Sequence, residues 1–352
     1  MDNGFWQNKK VFITGHTGFK GGWLSLCLYK FGAKLSGYSL NPMTEPSFFD
    51  ACCLSEIFTS DSRSDIRDYK ALELDLHQSD AQIVFHLAAQ PLVRESYHSP
   101  VDTFGTNLMG TVNLLEAVRK SNTVKSIVIV TTDKCYENKE LGKPFSENDP
   151  MGGEDPYSSS KACVELATKA YRQSFLANSN ILVASARAGN VIGGGDWSTD
   201  RLIPDFLRSL EANQQLIVRS PNAVRPWQHV LEPISGYMKL AEKLHDAGPE
   251  FADAWNFGPE EEDSREVSWL ADQMCKNFET ASWKTATSKD TLKEAGVLRL
   301  DSSKSKKLLN WRPRWDLGAA LENTIKWHAA FRNGENMREY SLNQILSYPS
   351  TS

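Results

Sequence analysis

The chain has 352 residues, a formal net charge of −5 and 40% apolar residues, which allows one large or two ordinary globular domains with a sizeable core. A mildly acidic balance without blocks of like charge leaves no electrostatic footprint for nucleic acid or an anionic membrane, so any anionic ligand has to be met by local groups. No apolar stretch reaches membrane-span length, the six cysteines are scattered without paired metal-ligand spacing, and the polar start, 1–10, leaves no room for a secretion signal; the expectation is a cytoplasmic protein without nucleic-acid, membrane or metal partners.

Residues 9–14 are predicted as the first strand, followed by the loop Gly15-His16-Thr17-Gly18-Phe19-Lys20-Gly21 and an apolar helix through Trp23, Leu24, Leu26, Leu28 and Phe31. Strand, glycine loop and helix in this order form a phosphate cradle. The glycines permit a tight turn and close approach of a pyrophosphate, while the helix N-terminus supplies aligned N–H donors. The competing reading is a tight strand-to-helix turn without a ligand. Lys20 either touches a phosphate or is only solvated. A second strand is expected at 34–40. At its end, where an acidic residue ordinarily takes the adenosine ribose of NAD, stand Tyr38, Ser39 and Asn41, and no arginine stands there for a 2′-phosphate. A third strand at 57–60 leads into Asp65-Ile66-Arg67-Asp68, where Asp65 either accepts from an adenine amino group or caps a helix.

The fourth strand, 82–87, ends in His86-Leu87-Ala88-Ala89-Gln90, whose small residues let a cofactor lie against the backbone; His86 reads as a structural histidine. A long helix over 100–120 carries Asn107, Gly110, Leu114, Leu115 and Val118 at helical spacing, mostly as core, with Asn107 placed to bridge a local backbone break. Next comes Ser126-Ile127-Val128-Ile129-Val130, a β-branched run suited to a strand buried on both faces. It runs into Thr131-Thr132-Asp133-Lys134-Cys135-Tyr136, and ligands of open parallel sheets collect at such strand ends. In the helix expected from 157 to about 175, Tyr157 and Lys161 lie four residues apart on one face, so the ammonium can hold the phenol as a phenolate, a usable base near neutral pH. A sixth strand follows at 180–186. This alternation predicts right-handed crossovers and an α/β fold, a doubly wound parallel sheet of Rossmann type over 1–189.

The alternation stops after Arg187-Ala188-Gly189-Asn190-Val191, in a glycine-rich loop bearing Trp197. Residues 190–352 are therefore expected to form a smaller mixed α/β C-terminal substrate domain, with part of 223–262 returning to the first. Arg201, Arg208, Arg219 and Arg225 follow. Arginines beside a pocket can clamp a diphosphate bidentately, whereas Arg208 and Arg219 read as ordinary surface arginines.

Together these motifs resemble the extended short-chain dehydrogenase/reductase superfamily: GxxGxxG at 15–21, the strand-end Thr132-Asp133 pair, Tyr157 and Lys161, Arg187-x-x-Asn190-Val191, Arg225-Pro226-Trp227, and the late Leu309-Asn310-Trp311-Arg312-Pro313-Arg314-Trp315 segment. Within it, over nearly the whole chain, the sequence looks most like the CDP-glucose 4,6-dehydratases, on GHTGFKGGWL, HLAAQPLVRESY, TTDKCYEN and VRPWQHVLEP. The resemblance implies NAD as cofactor, held by Gly15, Thr17, Gly18, Phe19, Lys20, Gly21, Asp65, Ile66, Leu87, Ala88, Ala89, Asn107, Tyr157 and Lys161. It implies that Asn190, Arg201 and Arg225 meet the diphosphate and nucleoside, and that the chain pairs with itself as a homodimer through a four-helix bundle built from the helices at 100–120 and 157–175. It also implies a place early in dideoxyhexose supply for a bacterial surface polysaccharide.

The implied reaction converts CDP-glucose to CDP-4-keto-6-deoxyglucose and water by internal hydride transfer. Tyr157 would take the C4 hydroxyl proton, Lys161 lower the phenol pKa and hold the nicotinamide ribose, Thr132 bond the C4 oxygen, and Asp133 protonate the leaving C6 hydroxyl. Where the better-known dTDP-glucose dehydratases have Glu after this Asp, this chain has Lys134. A free lysine titrates near ~10.4, so Lys134 is the C5 base only if burial or positive neighbours depress it; otherwise it stabilises the enolate and another group, such as Glu137, takes the proton. The rival readings are a dTDP-glucose 4,6-dehydratase, a nucleotide-sugar 4-epimerase, which has no need of Asp133, and a catalytically silent NAD-sensing protein, which has no need of Thr132, Tyr157 and Lys161 together.

Overall fold

The structure is a computed structural model that describes residues 3–287, 292 and 295–349; Met1 and Asp2 of the polar start lie outside the described residues. Its strands are β1 (Lys10–Thr14), β2 (Lys34–Ser39), β3 (Phe58–Arg63), β4 (Ile83–His86), β5 (Ser126–Val130), β6 (Leu182–Ala188), β7 (Asn190–Ile192), β8 (Leu216–Val218), β9 (Val224–His229), β10 (Ala254–Phe257), β11 (Ser264–Glu266) and β12 (Trp283–Thr285). Seven of them form one sheet in the order β3-β2-β1-β4-β5-β6-β10. Every neighbouring pair in it is parallel. The order reverses between β1 and β4, and at that switch point the carboxyl ends of the strands open a crevice.

Burial follows from the sequence pattern. All of β4 and β5 is buried, and in β5 the side chains alternate between two apolar layers: Val128 and Val130 join Trp23, Leu24, Trp255 and Trp327 on one face, Ile127 and Ile129 join Phe12, Leu114, Leu115 and Val164 on the other. The third strand runs further than 57–60, to Arg63, because Ser60–Arg63 pairs with Ser36–Ser39 of β2. As a polar edge strand it carries no apolar alternation to mark its length. The long helix at 100–120 is interrupted: Pro100–Phe104 and Gly110–Arg119 are α-helical, with a π-helical turn, Gly105–Met109, between them.

After β6 the chain changes character. β7, β9 and β11 form a second sheet and β8 pairs with β12 in a third. These pack around a separate apolar cluster that includes Ile203, Phe206, Trp227, Leu270 and Leu321. The helix Leu231–Asp246 nevertheless packs on β5 and β6, and β10 extends the main sheet beyond β6. Buried Glu232 on that helix accepts from the backbone N–H groups of Arg314 and Trp315, each at 2.9 Å, and from the Tyr348 hydroxyl, tying the late tryptophan-rich segment to the main body. No helix of the described residues is long and apolar enough to cross a membrane.

Candidate active site

The crevice at the switch point is one continuous cleft of about 650 Å³. One wall starts where β1 ends. Gly15 has φ +75°, a left-handed conformation, and a Cβ there would lie 2.5 Å from Ala88 N; a Cβ on Gly21 would lie 2.1 Å from Gly15 O. The turn therefore packs against the 87–89 segment and against its own helix, Phe19–Lys30. That helix starts at Gly18 without a side-chain cap, so its first-turn N–H groups remain available to an anion. Thr17 donates to Leu40 O at 2.9 Å and bonds Ser39 Oγ at 2.8 Å, which places Ser39 where a ribose-binding acid is ordinarily found.

Gly15, Thr17, Gly18, Phe19, Lys20, Gly21, Asp65, Ile66, Leu87, Ala88 and Ala89 all line this cleft. Asp65 is not the helix cap; Asp68 is, accepting from Ala71 N at 3.1 Å. Both carboxylate oxygens of Asp65 accept from Arg67, which also pairs with Asp102, and the Arg67 hydrogen bonds hold the Asp65 carboxyl below its usual range. Asn107 does not line the cleft. It sits in the π turn and clamps Gln90, accepting from its N–H at 2.8 Å and donating to its carbonyl at 3.1 Å, while also donating to Ser160 at 2.8 Å. Its side chain is spent on protein, so its direct contact with a cofactor is corrected to a bracing role behind the wall. His86 is enclosed by Thr14 and Thr111 at 2.7 and 2.9 Å, and burial pushes its pKa down to about 3, so it stays neutral.

At the end of β5, Thr132 caps the one-turn helix Asp133–Cys135 and lines the cleft with Lys134. Asp133 lies just behind, with no exposed surface. Its Oδ1 receives Thr132 Oγ1 at 3.0 Å and Lys134 Nζ at 3.3 Å, and its Oδ2 has no hydrogen-bond partner. Lys134 Nζ also reaches Asn190 Oδ1 at 3.4 Å, across to the segment after β6. Glu137 is exposed, paired with Lys139 at 3.4 Å and absent from the cleft wall, which its neighbours Tyr136 and Asn138 line instead; the alternative that it takes the C5 proton is not supported by its position.

Facing this strand end is the helix Pro156–Ser174, capped by Asp155, which accepts from Ser158 N at 2.8 Å. Tyr157 and Lys161 both line the cleft and both are buried. The pairing expected between them is modified. Lys161 Nζ donates to Val130 O at 3.4 Å, and no hydrogen bond joins it to the phenol among the described residues. Burial raises the Tyr157 phenol to about 12, and the groups that pull it back down are Thr132, by hydrogen bonding, and Arg201, by charge. Burial brings Lys161 down to about 8, against the attraction of Glu165.

The residue missed in the sequence is Glu165. It accepts from Thr131, from Ser185 at 2.7 Å and from Arg187 at 2.8 Å, joining the end of β5, the Tyr157 helix and β6 in one buried network. The available signal is its spacing, four residues beyond Lys161 on the same helix face.

On the opposite wall, Asn190, Arg201 and Arg225 line the cleft. Arg201 pairs with Asp196 at 2.9 Å, and buried Arg225 donates to Val224 O and Gly296 O at 2.9 and 3.2 Å. Arg208 is not itself on the cleft wall; it is occupied with Trp197 O, Ser198 O and Asp205, which are. Arg219, read as a surface arginine, lines the cleft with Arg94, and both pair with Asp200, at 2.8 and 3.4 Å. Arg94 and Arg219 come from segments more than a hundred residues apart in the chain, which hid the pair.

The family model described as GDP-mannose 4,6 dehydratase matches residues 12–324. A CDP-glucose 4,6-dehydratase of Salmonella typhimurium (strain LT2) is 49% identical over 99% of this chain and 99% of its own. Among solved structures, MoeE5 in complex with UDP-glucose and NAD superposes with a TM-score of 0.75 at 21% identity, covering 92% of this chain and 99% of that one. A dTDP-glucose 4,6-dehydratase of Streptomyces venezuelae, the DesIV double mutant with NAD and DAU bound, gives 0.75 at 20% identity over 93% and 99%.

Proposed function

The chain belongs to the GDP-mannose 4,6 dehydratase family, and from that premise we propose that it removes water from CDP-glucose to give CDP-4-keto-6-deoxyglucose. The observation that carries this reading is the buried Asp133, bonded by Thr132 and paired with Lys134 beside Tyr157 and Lys161. Oxidation at C4 needs only a base and a hydride acceptor. A buried acid at the strand end is the extra group that expulsion of the C6 hydroxyl requires.

NAD fits the other half of the cleft. Gly15 and Gly21 let the turn pack tightly against the 87–89 segment and its own helix, and the uncapped helix start at Gly18 lines the cleft. Held there by the glycine turn and the 87–89 segment, NAD would supply the hydride acceptor for C4 and the hydride donor for C6. Tyr157 takes the C4 hydroxyl proton as its phenolate, a form that Thr132 and Arg201 favour against burial, Thr132 holds the C4 oxygen, and Lys161 takes the nicotinamide ribose. Asp133 gives its proton to the leaving C6 hydroxyl, and Lys134, fixed between Asp133 and Asn190, supplies positive charge to the enolate oxygen. Asn190, Arg201 and Arg225 meet the diphosphate and nucleoside, joined by Arg94 and Arg219.

The same reading makes 1–189 the NAD domain and 190–352 the nucleotide-sugar domain, with β10 and the helix Leu231–Asp246 returning to the first. It makes the protein a cytoplasmic homodimer at an early step of dideoxyhexose supply for surface polysaccharide. The exposed apolar residues Val101 (83%), Met109 (50%) and Leu166 (57%) on the two long helical segments support the bundle interface.

Incubation with CDP-glucose and, separately, dTDP-glucose, with and without added NAD, tests the assignment. The expected result is a 4-keto-6-deoxy product, absorbing in alkali, from CDP-glucose. An epimer would not absorb in this way, and absence of turnover on CDP-glucose contradicts the assignment.

A further inference from the structure

The stretch that carries Thr132, Asp133 and Lys134 runs on to Asn138 and Glu140, which both line the cleft. Glu140 has φ +55°, a left-handed conformation that is costly for a residue with a Cβ and persists only where the surrounding contacts impose it. Here they do. Its two carboxylate oxygens accept from consecutive backbone N–H groups, Gly296 N at 2.8 Å and Val297 N at 2.9 Å. Asn138 completes the clamp: its Nδ2 donates to Val297 O at 3.0 Å and its Oδ1 accepts from Glu140 N at 2.9 Å. The same segment is bound on its other side to the start of β9. Val224 N donates to Gly296 O at 2.8 Å, Leu298 N donates to Val224 O at 3.0 Å, and Arg225 Nη1 donates to Gly296 O at 3.2 Å. One residue thus joins the two: Gly296 gives its N–H to Glu140 and its carbonyl to Arg225.

We propose that Glu140 is a positioning residue for the nucleotide half of the substrate: by holding the backbone of 296–297 against β9, it fixes the carbonyl that anchors the Arg225 guanidinium on the cleft wall. This rests on the reading above, in which Arg225 meets the diphosphate and nucleoside. A guanidinium recognises its ligand through a fork of fixed N–H directions, so movement of the carbonyl that anchors one arm misdirects the others. A carboxylate suits the clamp because hydrogen bonds from N–H groups to a charged acceptor are stronger than those to a neutral one. The clamp also joins two sheets. Glu140 continues from the end of β5 in the main sheet, where the sugar reacts, and Arg225 belongs to β9 in the second sheet, so this contact holds the nucleotide anchor in register with the reacting end. Glu140 itself acts only through Arg225, and its loss is felt as weaker nucleotide binding with the chemical steps intact.

The test uses full-length protein with NAD, as wild type, Glu140→Ala, Glu140→Gln, Arg225→Ala and the double variant Glu140→Ala/Arg225→Ala. Turnover of CDP-glucose gives kcat and KM, and binding of CDP is read separately by calorimetry, so that a wild type without turnover, which contradicts the dehydratase reading, is told apart from failure of this inference. Glu140→Ala is expected to raise KM and the CDP dissociation constant about tenfold with kcat within about twofold of wild type, the split that marks binding lost equally from ground and transition states. Glu140→Gln keeps the length and one acceptor but not the charge, and should fall between the two. A residue that only stabilised its loop would lower the unfolding midpoint without this split. Because Glu140 acts through Arg225, the double variant should bind CDP within about twofold of Arg225→Ala alone. CDP binding and KM within twofold of wild type in Glu140→Ala overturn the proposal, as do losses that multiply in the double variant or a fall in kcat at unchanged KM. Should Glu140→Ala not fold, Glu140→Gln carries the same test, and wild-type binding of CDP by it overturns the proposal equally.

Discussion

Asp133 presents a buried carboxyl whose Oδ1 is taken by Thr132 and Lys134, which leaves Oδ2, without a partner among the described residues, as the oxygen that can carry the acid's proton. The C6 oxygen of the sugar would receive it. Asp133→Asn keeps the size and the bond to Thr132 but removes the transferable proton, so C4 oxidation should persist as reduced-cofactor absorbance while release of water falls about 10²- to 10⁴-fold in single-turnover product analysis. Loss of both together would assign Asp133 to binding instead. Lys134→Met removes the cation beside the enolate and should slow C5 solvent exchange with C4 oxidation retained; unchanged exchange would remove Lys134 from the chemistry. These residues were legible because strand ends and helix periodicity are local. Tyr157 and Lys161 fall on one helix face from spacing alone, yet their ionisation is set first by burial, and for Tyr157 then by Thr132, Asp133 and Arg201 from elsewhere in the chain.

The strand–turn–helix start could be read from its glycines, and Gly21 shows why they matter: a Cβ there would meet Gly15 O at 2.1 Å. Gly21→Ala should therefore open the turn and weaken NAD binding in a fluorescence titration, with near-normal binding contradicting the cradle. Other elements could be read only in part or not at all. β3 is polar, so its length could not be read; the π turn around Asn107 could be expected as a local break but not in kind; and the network at Glu165 depends on β5, β6 and the Tyr157 helix meeting. Glu165→Gln leaves Arg187 buried without its carboxylate, which should cost about 3–5 kcal/mol in urea unfolding. A change within about 0.5 kcal/mol would show that the network is not needed for stability.

Across the whole molecule, the main sheet carries the glycine cradle at one end of the cleft and the β5 strand end at the other, while β7, β9 and the loops around them close the sugar side. The change of character after β6 could be read from the glycine-rich loop. β10 lies within the stretch 223–262, part of which is expected from the sequence to return to the first domain, but its place in the sheet rests on pairing with β6, a contact between distant segments that periodicity does not report. On the proposed reading, one sugar stays in place while C4 is oxidised, water leaves from C5 and C6, and C6 is reduced. The central claim is therefore that the hydride taken from C4 returns within the same molecule. CDP-glucose carrying deuterium at C4, turned over in ordinary water and analysed by mass spectrometry and proton NMR, tests it directly: the account predicts the label at C6 of the 4-keto-6-deoxy product, without crossover to unlabelled substrate in the same flask. Label washed out to solvent, crossing between molecules, or found still at C4 in an epimer would contradict it.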